Sequence, residues 1–270
     1  MIEMGTGSRK RLAVLFSLLI LVSVGVFVFA EVALRERPDR FVVLRVDDIQ
    51  DFAFRDAQLF LLNYSVEADL KLSLGVISGM FGEDIEVLEA ARLAVGSGSE
   101  VGIHGLKHED LATFSLSEQR DILVQAKSRI RQLLGVNARL LVPPLFSFND
   151  DTLSAMREVS CSVISTCVDF DQPSLDSEIR GIPATVELSI LQDGVWQMKS
   201  VDVVVAEVER SFELYGYAAI VTHPQEFVQD GKLNQSATEA FIGLAEKLSQ
   251  TCQFTTFENI ASADFYSFGV

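Results

Sequence analysis

Phe41-Val42-Val43-Leu44-Arg45-Val46-Asp47-Asp48 is the stretch of this 270-residue chain that decides its fold. The run is apolar except for Arg45, and it ends in two adjacent aspartates. A short, almost continuous apolar run is typical of a strand that is buried on both faces of a parallel sheet. We therefore expect a buried strand that carries Asp47 and Asp48 at its carboxyl end.

After this run, apolar segments alternate with longer segments of helical periodicity. This alternation predicts a parallel sheet, either closed into a barrel or open and doubly wound. The predicted strands cover residues 41–47, 70–76, 100–104, 139–142, 161–165, 183–189 and 217–222. The predicted helices cover residues 53–64, 83–95, 117–134, 149–158, 200–214 and 235–249. Ser115 or Ser117 is expected to cap the third helix, and Gly135 to end it.

The first forty residues have a different composition from the rest. Arg9-Lys10-Arg11 precedes an uncharged run over residues 12–30, which is long enough to cross a bilayer core as a helix. The sequence predicts a cytoplasmic segment (residues 1–11), a membrane anchor (12–30), a linker (31–40) and one extracytoplasmic domain (41–270). Cleavage after Val28-Phe29-Ala30, which would secrete the domain, is the alternative.

Charge and cysteine content limit what this domain binds. Residues 41–270 contain 16 basic and 34 acidic side chains, a net charge of −18. Such a domain repels polyanions, so we expect no nucleic-acid partner and favour neutral or cationic substrates. Cys161, Cys167 and Cys252 lack zinc-ligand spacing and are expected to be buried thiols, with a Cys161–Cys167 disulfide as the alternative. The oligomeric state stays open.

All three histidines follow apolar, strand-like runs. Two of them form a His-x-x-x-His pair, His104 and His108, with a spacing that fits one helical turn. Ligands gather at the carboxyl ends of parallel strands, so this pair is expected beside Asp47 and Asp48. Two imidazoles and one carboxylate can hold a divalent metal and leave positions open for water and substrate. Taken alone, such a pair is more often structural.

Asp47 and His223 are the candidates for base and acid. If Asp48 ligates the metal, Asp47 is available to take a proton from an attacking water. His223 precedes Pro224, which favours an extended backbone at the end of the strand predicted over 217–222. Its imidazole, with an ordinary pKa of about 6.5, can protonate a leaving group.

Read together, these residues resemble the polysaccharide deacetylase (NodB homology, carbohydrate esterase) family over about residues 41–260. The resemblance implies that Asp47 is the base and His223 the acid. It implies that the metal ligands are Asp48, His104 and His108. It also implies a distorted (β/α) barrel of about seven strands, a divalent metal that is usually Zn²⁺, with Co²⁺, Ni²⁺ or Mn²⁺ as alternatives, and removal of an acyl group, usually acetyl, from a carbohydrate.

The third motif of the family departs from its usual form. Leu141-Val142-Pro143-Pro144-Leu145 matches a motif that usually reads Arg-Pro-Pro-Tyr. Val142 therefore replaces the arginine that orients the base, and Leu145 replaces the tyrosine. The resemblance implies that Pro144 and Leu145 line the groove, with the Leu145 backbone N–H as oxyanion donor.

Other residues are predicted to support the site. Arg45 lies two residues before Asp47 on one strand, so both side chains share a face, and we predict an ion pair that replaces the missing arginine. The alternative is that Arg45 pairs with another carboxylate. Asp169 and Asp171 match the acidic fourth motif, which implies that they support the catalytic residues.

The degraded third motif leaves other functions open. One is a membrane-anchored carbohydrate-binding protein that kept the fold and lost turnover. Another is a related metal-dependent amidohydrolase with a non-sugar substrate. A third is a structural surface protein whose histidines are incidental.

Overall fold

The computed structural model describes residues 40–168 and 178–262. The strands are β1 (Phe41–Ile49), β2 (Leu72–Val76), β3 (Glu100–Ile103), β4 (Leu140–Leu141), β5 (Val163–Ile164), β6 (Arg180–Gly181), β7 (Val186–Glu187), β8 (Ser189–Gln192), β9 (Val195–Met198), β10 (Ala218–Thr222), β11 (Val228–Gln229), β12 (Lys232–Leu233) and β13 (Gln253–Thr255). The helices are α1 (Arg55–Glu67), α2 (Ile85–Gly96), α3 (Leu116–Leu134), α4 (Asp150–Glu158), α5 (Val201–Tyr215), α6 (Gln235–Ser249) and α7 (Phe257–Ser262).

The main sheet is parallel, in the order β6-β5-β4-β3-β2-β1-β10-β7. β1 pairs with β10 on one edge, with Val42 opposite Ala218. On its other edge β1 pairs first with β13, up to Val43, and then with β2 from Leu44 onward. With neighbours on both edges and cores on both faces, β1 has little contact with water, which explains its apolar sequence.

One extended segment, residues 180–188, joins the two ends of this sheet. The backbone N–H groups of Arg180, Ile182 and Ala184 donate to the chain of β5 and the residues flanking it, at 2.8, 2.9 and 2.9 Å. The N–H groups of Thr185 and Leu188 donate to β10, at 2.9 and 3.1 Å. Because the same segment bonds to both ends, the sheet curls into a barrel, and the predicted distorted (β/α) barrel is confirmed.

Each predicted strand and helix has a counterpart. The strands β6, β9, β11, β12 and β13, most of β8 and the helix α7 were not predicted. At α3 the cap is Ser115 rather than Ser117, because the Ser115 N–H donates to Glu118 Oε2 at 2.9 Å. Gly135 ends this helix with a φ of 73°, a left-handed conformation that glycine adopts without strain.

The inner face of the barrel has a packed end and an open end. Val43, Leu140 and Val163 form a buried cluster with Phe257 and Ile260 of α7, which closes the amino ends of the strands. Along β1, Val43, Arg45 and Asp47 point to this same inner face, since strand side chains alternate. From the amino end toward the carboxyl end of β1, the inner face therefore carries one apolar side chain, then a cation, then a carboxylate. The candidate site lies at the other end of the barrel, at the carboxyl ends of the strands.

Several predictions concern residues that the structure does not describe. The anchor over 12–30, the boundaries within residues 1–40, and Asp169 and Asp171 lie outside the described residues. Within the ranges 40–168 and 178–262, no helix is both long and apolar enough to span a membrane. Cys161, Cys167 and Cys252 are buried, and Cys161 is a free thiol, so the alternative of a Cys161–Cys167 disulfide is wrong. Burial raises the pKa of the Cys161 thiol to about 11, which makes it unreactive.

Candidate active site

A β-bulge turns both aspartates of β1 toward the site. Val46 pairs with Leu74 and Ile49 with Val76, so β1 has one extra residue in this interval. Asp48 adopts a left-handed backbone, with a φ of 59°. Strict alternation would send Asp48 to the face opposite Asp47, but a bulge re-aims side chains in this way. The structure therefore brings Asp47 and Asp48 to one mouth of the barrel.

Asp48, His104 and His108 converge at that mouth. One ligand atom from each residue lies within 4.8 Å of the other two. Asp48 Oδ1 is 3.2 Å from His104 Nε2 and 3.4 Å from His108 Nε2. Strand ends position the first two residues: Asp48 is in the bulge of β1, and His104 directly follows β3.

A backbone carbonyl fixes the His104 ring. Val142 O lies 2.8 Å from His104 Nδ1, so Nδ1 carries the proton in this contact and the Nε2 lone pair faces the cluster. Val142 is the residue at the position of the missing arginine, and its carbonyl performs a task that does not depend on its side chain. Metal-ligating histidines commonly have such a partner on the second ring nitrogen.

The expected helical turn between His104 and His108 is absent, and that prediction was wrong. The two residues are joined by an irregular bend in which Gly105 has a φ of 75° and His108 a φ of 65°. At Gly105 a side chain would be strained, and its Cβ would lie 2.7 Å from Glu109 Oε2. The bend nevertheless brings the two rings to a centroid distance of 4.9 Å.

These three residues fit a divalent metal. Asp48 Oδ1 is buried and has no hydrogen-bond donor in suitable geometry among the described residues, although two imidazole nitrogens lie nearby. A buried carboxylate oxygen without a donor is costly unless a cation satisfies it. Burial raises the pKa of Asp48, but the close His104 and the positive charges of His104, His223 and His108 outweigh it and lower this pKa to about 2. Burial, followed by the charge of His104, lowers the pKa of His108, which favours the neutral, ligating form.

Arg45 lies directly beneath Asp47, as predicted. Arg45 Nη2 is 3.0 Å from Asp47 Oδ2, and the two side chains are 0% and 1% exposed. Arg45 Nη1 donates to Ser165 Oγ at 2.9 Å and to Thr166 O at 2.8 Å. The Phe146 ring covers the guanidinium at 5.5 Å. Four contacts, with Asp47, Ser165, Thr166 and Phe146, therefore hold Arg45 in place.

Gly75 makes room for the Asp47 carboxylate. It lies on β2, opposite the bulge of β1, and a Cβ there would stand 2.8 Å from Asp47 Oδ1. Any side chain at this position would push the carboxylate away from its present location. Sequence reasoning missed Gly75, because only the pairing of β1 with β2 reveals the contact.

His223 lies at the same mouth of the barrel, next to Asp47. It follows β10 in the predicted extended conformation, with φ −133° and ψ 150°. His223 Nε2 is 3.9 Å from Asp47 Oδ2. On the other side of the ring, Nδ1 is 2.8 Å from Glu226 Oε1, which also accepts the His223 backbone N–H at 3.0 Å. Thr222 Oγ1 donates to Glu226 Oε2 at 2.7 Å.

This contact changes the acidity of His223. Burial lowers its pKa, but the hydrogen bond to Glu226 and the charges of Asp47, Glu226 and Asp48 outweigh burial and raise the pKa. Sequence reasoning missed Glu226, although its position three residues after His223, behind Pro224 at the first position of a short helix, is a readable signal.

The third motif contributes its backbone more than its side chains. Pro144 is buried, and Leu145 is 61% exposed. Leu145 and Phe146 both have left-handed backbones, with φ values of 57° and 54°. This turn brings the Phe146 ring onto Arg45. Asp169 and Asp171 lie outside the described residues, so their predicted supporting role stays a prediction.

An open cleft of about 600 Å³ lies beside the cluster of Asp48, His104 and His108. Asp48 and His108 form part of its wall, and Gln225 Nε2 donates to Asp48 Oδ2 at 3.3 Å. Trp196, on the β8–β9 hairpin, also lines the cleft and stacks on the His223 ring at a centroid distance of 6.3 Å. Sequence reasoning missed Gln225 and Trp196.

Comparison with known families agrees with this geometry. Residues 35–164 match the polysaccharide deacetylase family model, a range that includes Asp47, Asp48, His104 and His108. These residues belong to the polysaccharide deacetylase family. The predicted family is therefore confirmed, and it is a family of deacetylases. No curated protein matches the chain in sequence.

Solved structures of the same family share the fold. A polysaccharide deacetylase structure from Mycobacterium smegmatis has a TM-score of 0.62 and 17% identity, over 84% of this chain and 90% of that one. A family 4 acetyl xylan esterase from Clostridium thermocellum, in complex with a cobalt ion, has a TM-score of 0.56 and 15% identity, over 82% and 90%. A family 4 pseudoenzyme from Bacillus anthracis has a TM-score of 0.55 and 20% identity, over 83% and 66%.

Proposed function

We propose that this chain is a metal-dependent deacylase that removes an acyl group, most often acetyl, from an amino sugar or a polysaccharide. The observation that carries the proposal is the convergence of Asp48, His104 and His108, with Asp47 and His223 beside them. In this proposal the three converging residues hold a divalent cation, Zn²⁺ in the first place. Cobalt is the ion of the acetyl xylan esterase structure and is the next choice.

A bound divalent cation supplies Lewis acidity toward the acyl carbonyl and toward water. Asp47 takes the proton from the attacking water, and Arg45 orients its carboxylate. His223 donates a proton from Nε2 to the leaving nitrogen or oxygen, while Glu226 holds Nδ1 on the other side of the ring. The backbone N–H of Leu145 is the proposed oxyanion donor.

The raised pKa of His223 supports its role as the acid. An acid must be protonated before the reaction, and a pKa above the ordinary value keeps a larger fraction of the imidazole protonated near neutral pH. The 3.9 Å between His223 Nε2 and Asp47 Oδ2 leaves the two groups facing one reaction centre without a direct hydrogen bond. Base and acid therefore lie on adjacent walls.

The experiment is acetate release from N-acetylglucosamine oligomers by the full chain, with and without a chelator. We expect release that stops with the chelator and returns with added Zn²⁺ or Co²⁺, and about one ion per purified chain. Less than about half an ion per chain, despite added metal, would count against the site and favour a structural protein. Metal binding without release from any acylated substrate would favour the carbohydrate-binding alternative, since one relative is a pseudoenzyme.

We also propose that residues 12–30 anchor the chain in a membrane, with residues 41–270 outside the cytoplasm. The uncharged run and the preceding Arg9-Lys10-Arg11 support this arrangement. Separation of membrane and soluble fractions tests it. Recovery of the mature protein without residues 1–30 in the soluble fraction would instead support signal cleavage.

A further inference from the structure

The cleft beside the metal ligands is more apolar than an acetyl group requires. Its lining includes Phe52, Phe54, Met80 and Trp196. Phe52, Phe54 and Met80 are 69%, 39% and 38% exposed. They come from the loops that follow β1 and β2, and they converge on one opening. Single exposed apolar side chains are normal, but a converging group beside a reactive centre indicates that an apolar ligand covers it.

The backbone that carries Phe52 is held by buried polar side chains. Gln50 Oε1 accepts the N–H groups of Phe52 and Ala53, at 2.5 and 2.9 Å. Gln58 Nε2 donates to Ala53 O at 2.8 Å, and Gln58 Oε1 accepts the Gln50 N–H at 2.9 Å. Gln50 and Gln58 are 1% and 0% exposed. Two buried amides thus fix a loop whose phenylalanine side chain remains in water, so the apolar wall is organised before any ligand binds.

The charges in this cleft favour an uncharged ligand. Apart from the metal site, the charged side chains of its described lining are Lys107 and Asp230, which balance each other. The domain as a whole carries a net charge of −18. Gln225 also lines the cleft and is uncharged, and its Nε2 donates to Asp48 Oδ2 at 3.3 Å. A few polar groups in a mostly apolar cleft are typical of small-molecule sites.

Asp48 and His108 line the same cleft, so a ligand in it adjoins the reacting atoms. Its volume, about 600 Å³, is that of a site for a whole small molecule. We propose that the cleft binds an alkyl chain of the substrate, which makes the substrate an amphiphilic acylated sugar. This inference rests on the proposed function for the reaction but not for the binding. The chain is carried either on the sugar or as a long acyl group, and both sources share the same chemistry.

Trp196 provides a binding signal that does not need turnover. It is the one tryptophan of the chain, and it lines the cleft. The full chain in phosphatidylcholine vesicles is titrated with methyl and hexyl N-acetyl-β-D-glucosaminide and with methyl N-octanoyl-β-D-glucosaminide, without added metal. We expect one of the two long-chain compounds to bind at least about tenfold more tightly than the methyl N-acetyl compound, since each buried methylene favours binding.

Matched variants distinguish ligand binding in the cleft from nonspecific binding to exposed apolar side chains elsewhere. Phe52→Ser/Met80→Ser removes two exposed apolar side chains of the cleft, and we expect the preference to fall below about threefold. Leu93→Ser/Leu214→Ser removes two side chains that are each 60% exposed, on α2 and α5, and should leave the preference unchanged. The single variants Phe52→Ser and Met80→Ser should give intermediate values and keep the melting temperature, because both residues are exposed.

The outcomes separate this inference from the proposed function. Equal binding of all three compounds, or equal losses in the two double variants, overturns the inference. The same compounds are then tested for acid release with Zn²⁺ added. Acetate release without any chain-length preference contradicts the inference and supports the proposed function. Chain-dependent binding without release of any acid supports the cleft assignment and contradicts the proposed function.

Discussion

Asp47 and Glu100 are carboxylates at opposite ends of the same barrel, and their surroundings differ. Asp47 is 1% exposed and has the guanidinium of Arg45 at 3.0 Å. Glu100, at the start of β3, is partly buried and accepts the backbone N–H groups of Phe257 and Glu258, at 2.6 and 3.1 Å, where α7 begins. Within residues 40–168 and 178–262, no basic side chain forms an ion pair with Glu100.

The two carboxylates differ in the groups that compensate their negative charge. Burial raises the pKa of Glu100 to about 7, and hydrogen bonds from Ser73 and from the start of α7 do not offset that effect. A full positive charge beside a carboxylate compensates its charge more strongly than neutral donors do. The Glu100 carboxylate links β3 to α7, whereas Arg45 compensates the charge of Asp47, the base of the proposed reaction.

The sharpest test of this contrast removes the charge at each end in turn. Asp47→Asn should lower the rate of acetate release by about 10²- to 10⁴-fold, because the amide cannot take a proton from water. Its metal content, measured by elemental analysis, should stay near that of the wild type. Glu100→Gln is the matched control and should change the rate at pH 7 by less than about twofold. Equal losses in the two variants would show that the ends do not differ in function.

The next test removes the cation and leaves the carboxylate. Arg45→Met should destabilise the protein by about 3 to 5 kcal/mol, because it leaves a buried charge without a partner. Adding Asp47→Asn should restore part of this loss, since the uncompensated charge is then gone. Arg92→Met, at a surface ion pair with Glu89, should cost about 0 to 1 kcal/mol. Urea denaturation of the wild type and of these three variants measures the differences.

The activity of Arg45→Met gives a second measurement. Its rate of acetate release should fall far more than its metal content, since Arg45 contacts Asp47, the proposed base, and not the proposed metal ligands. A stable Arg45→Met protein with wild-type turnover would contradict both the ion pair's role and the comparison between the two ends.

The residues that meet at the carboxyl ends of the strands could be predicted, because their positions depend on simple rules of strand geometry. Residues two apart on a strand share a face, which predicts Arg45 beside Asp47. Carboxyl ends of parallel strands meet at one edge, which predicts Asp48 beside His104. The family resemblance then assigned the roles. These rules need only the order of elements and not their detailed packing.

Other features could not be predicted, because they depend on particular backbone geometry. The carbonyl of Val142 holds His104, and every residue type has a carbonyl. The spacing of His104 and His108 suits a helix, but a bend with two positive φ values meets the same spacing. The two-residue strand β6 and the short helix α7 carry too few residues for a periodic pattern. Gly75 and Trp196 reach the site through contacts with residues that are distant in sequence, Asp47 and His223 respectively.

A smaller effect is expected at the acid. Glu226→Gln removes the carboxylate that raises the pKa of His223, so this pKa should fall. Because the acid must be protonated, the alkaline limb of the pH–rate profile should move to lower pH. Glu239→Gln, on the exposed face of α6, is the control and should leave the profile in place. A loss of rate at every pH with an unmoved limb would assign Glu226 a purely structural role.

The smallest effect concerns stability at the packed end. The pKa of Glu100 is raised from 4.5 to about 7, so the folded state binds more protons than the unfolded state between these pH values. The contribution of Glu100 to the free energy of unfolding is therefore fully present below about pH 4.5. It is lost as the pH rises from there through 7, by on the order of 2 kcal/mol after allowance for partial exposure. Urea denaturation from pH 5 to 8 should show this slope in the wild type, and Glu100→Gln should reduce it. If Asp47→Asn reduced this slope and Glu100→Gln did not, the pH dependence would come from Asp47 at the site and not from Glu100 beneath α7.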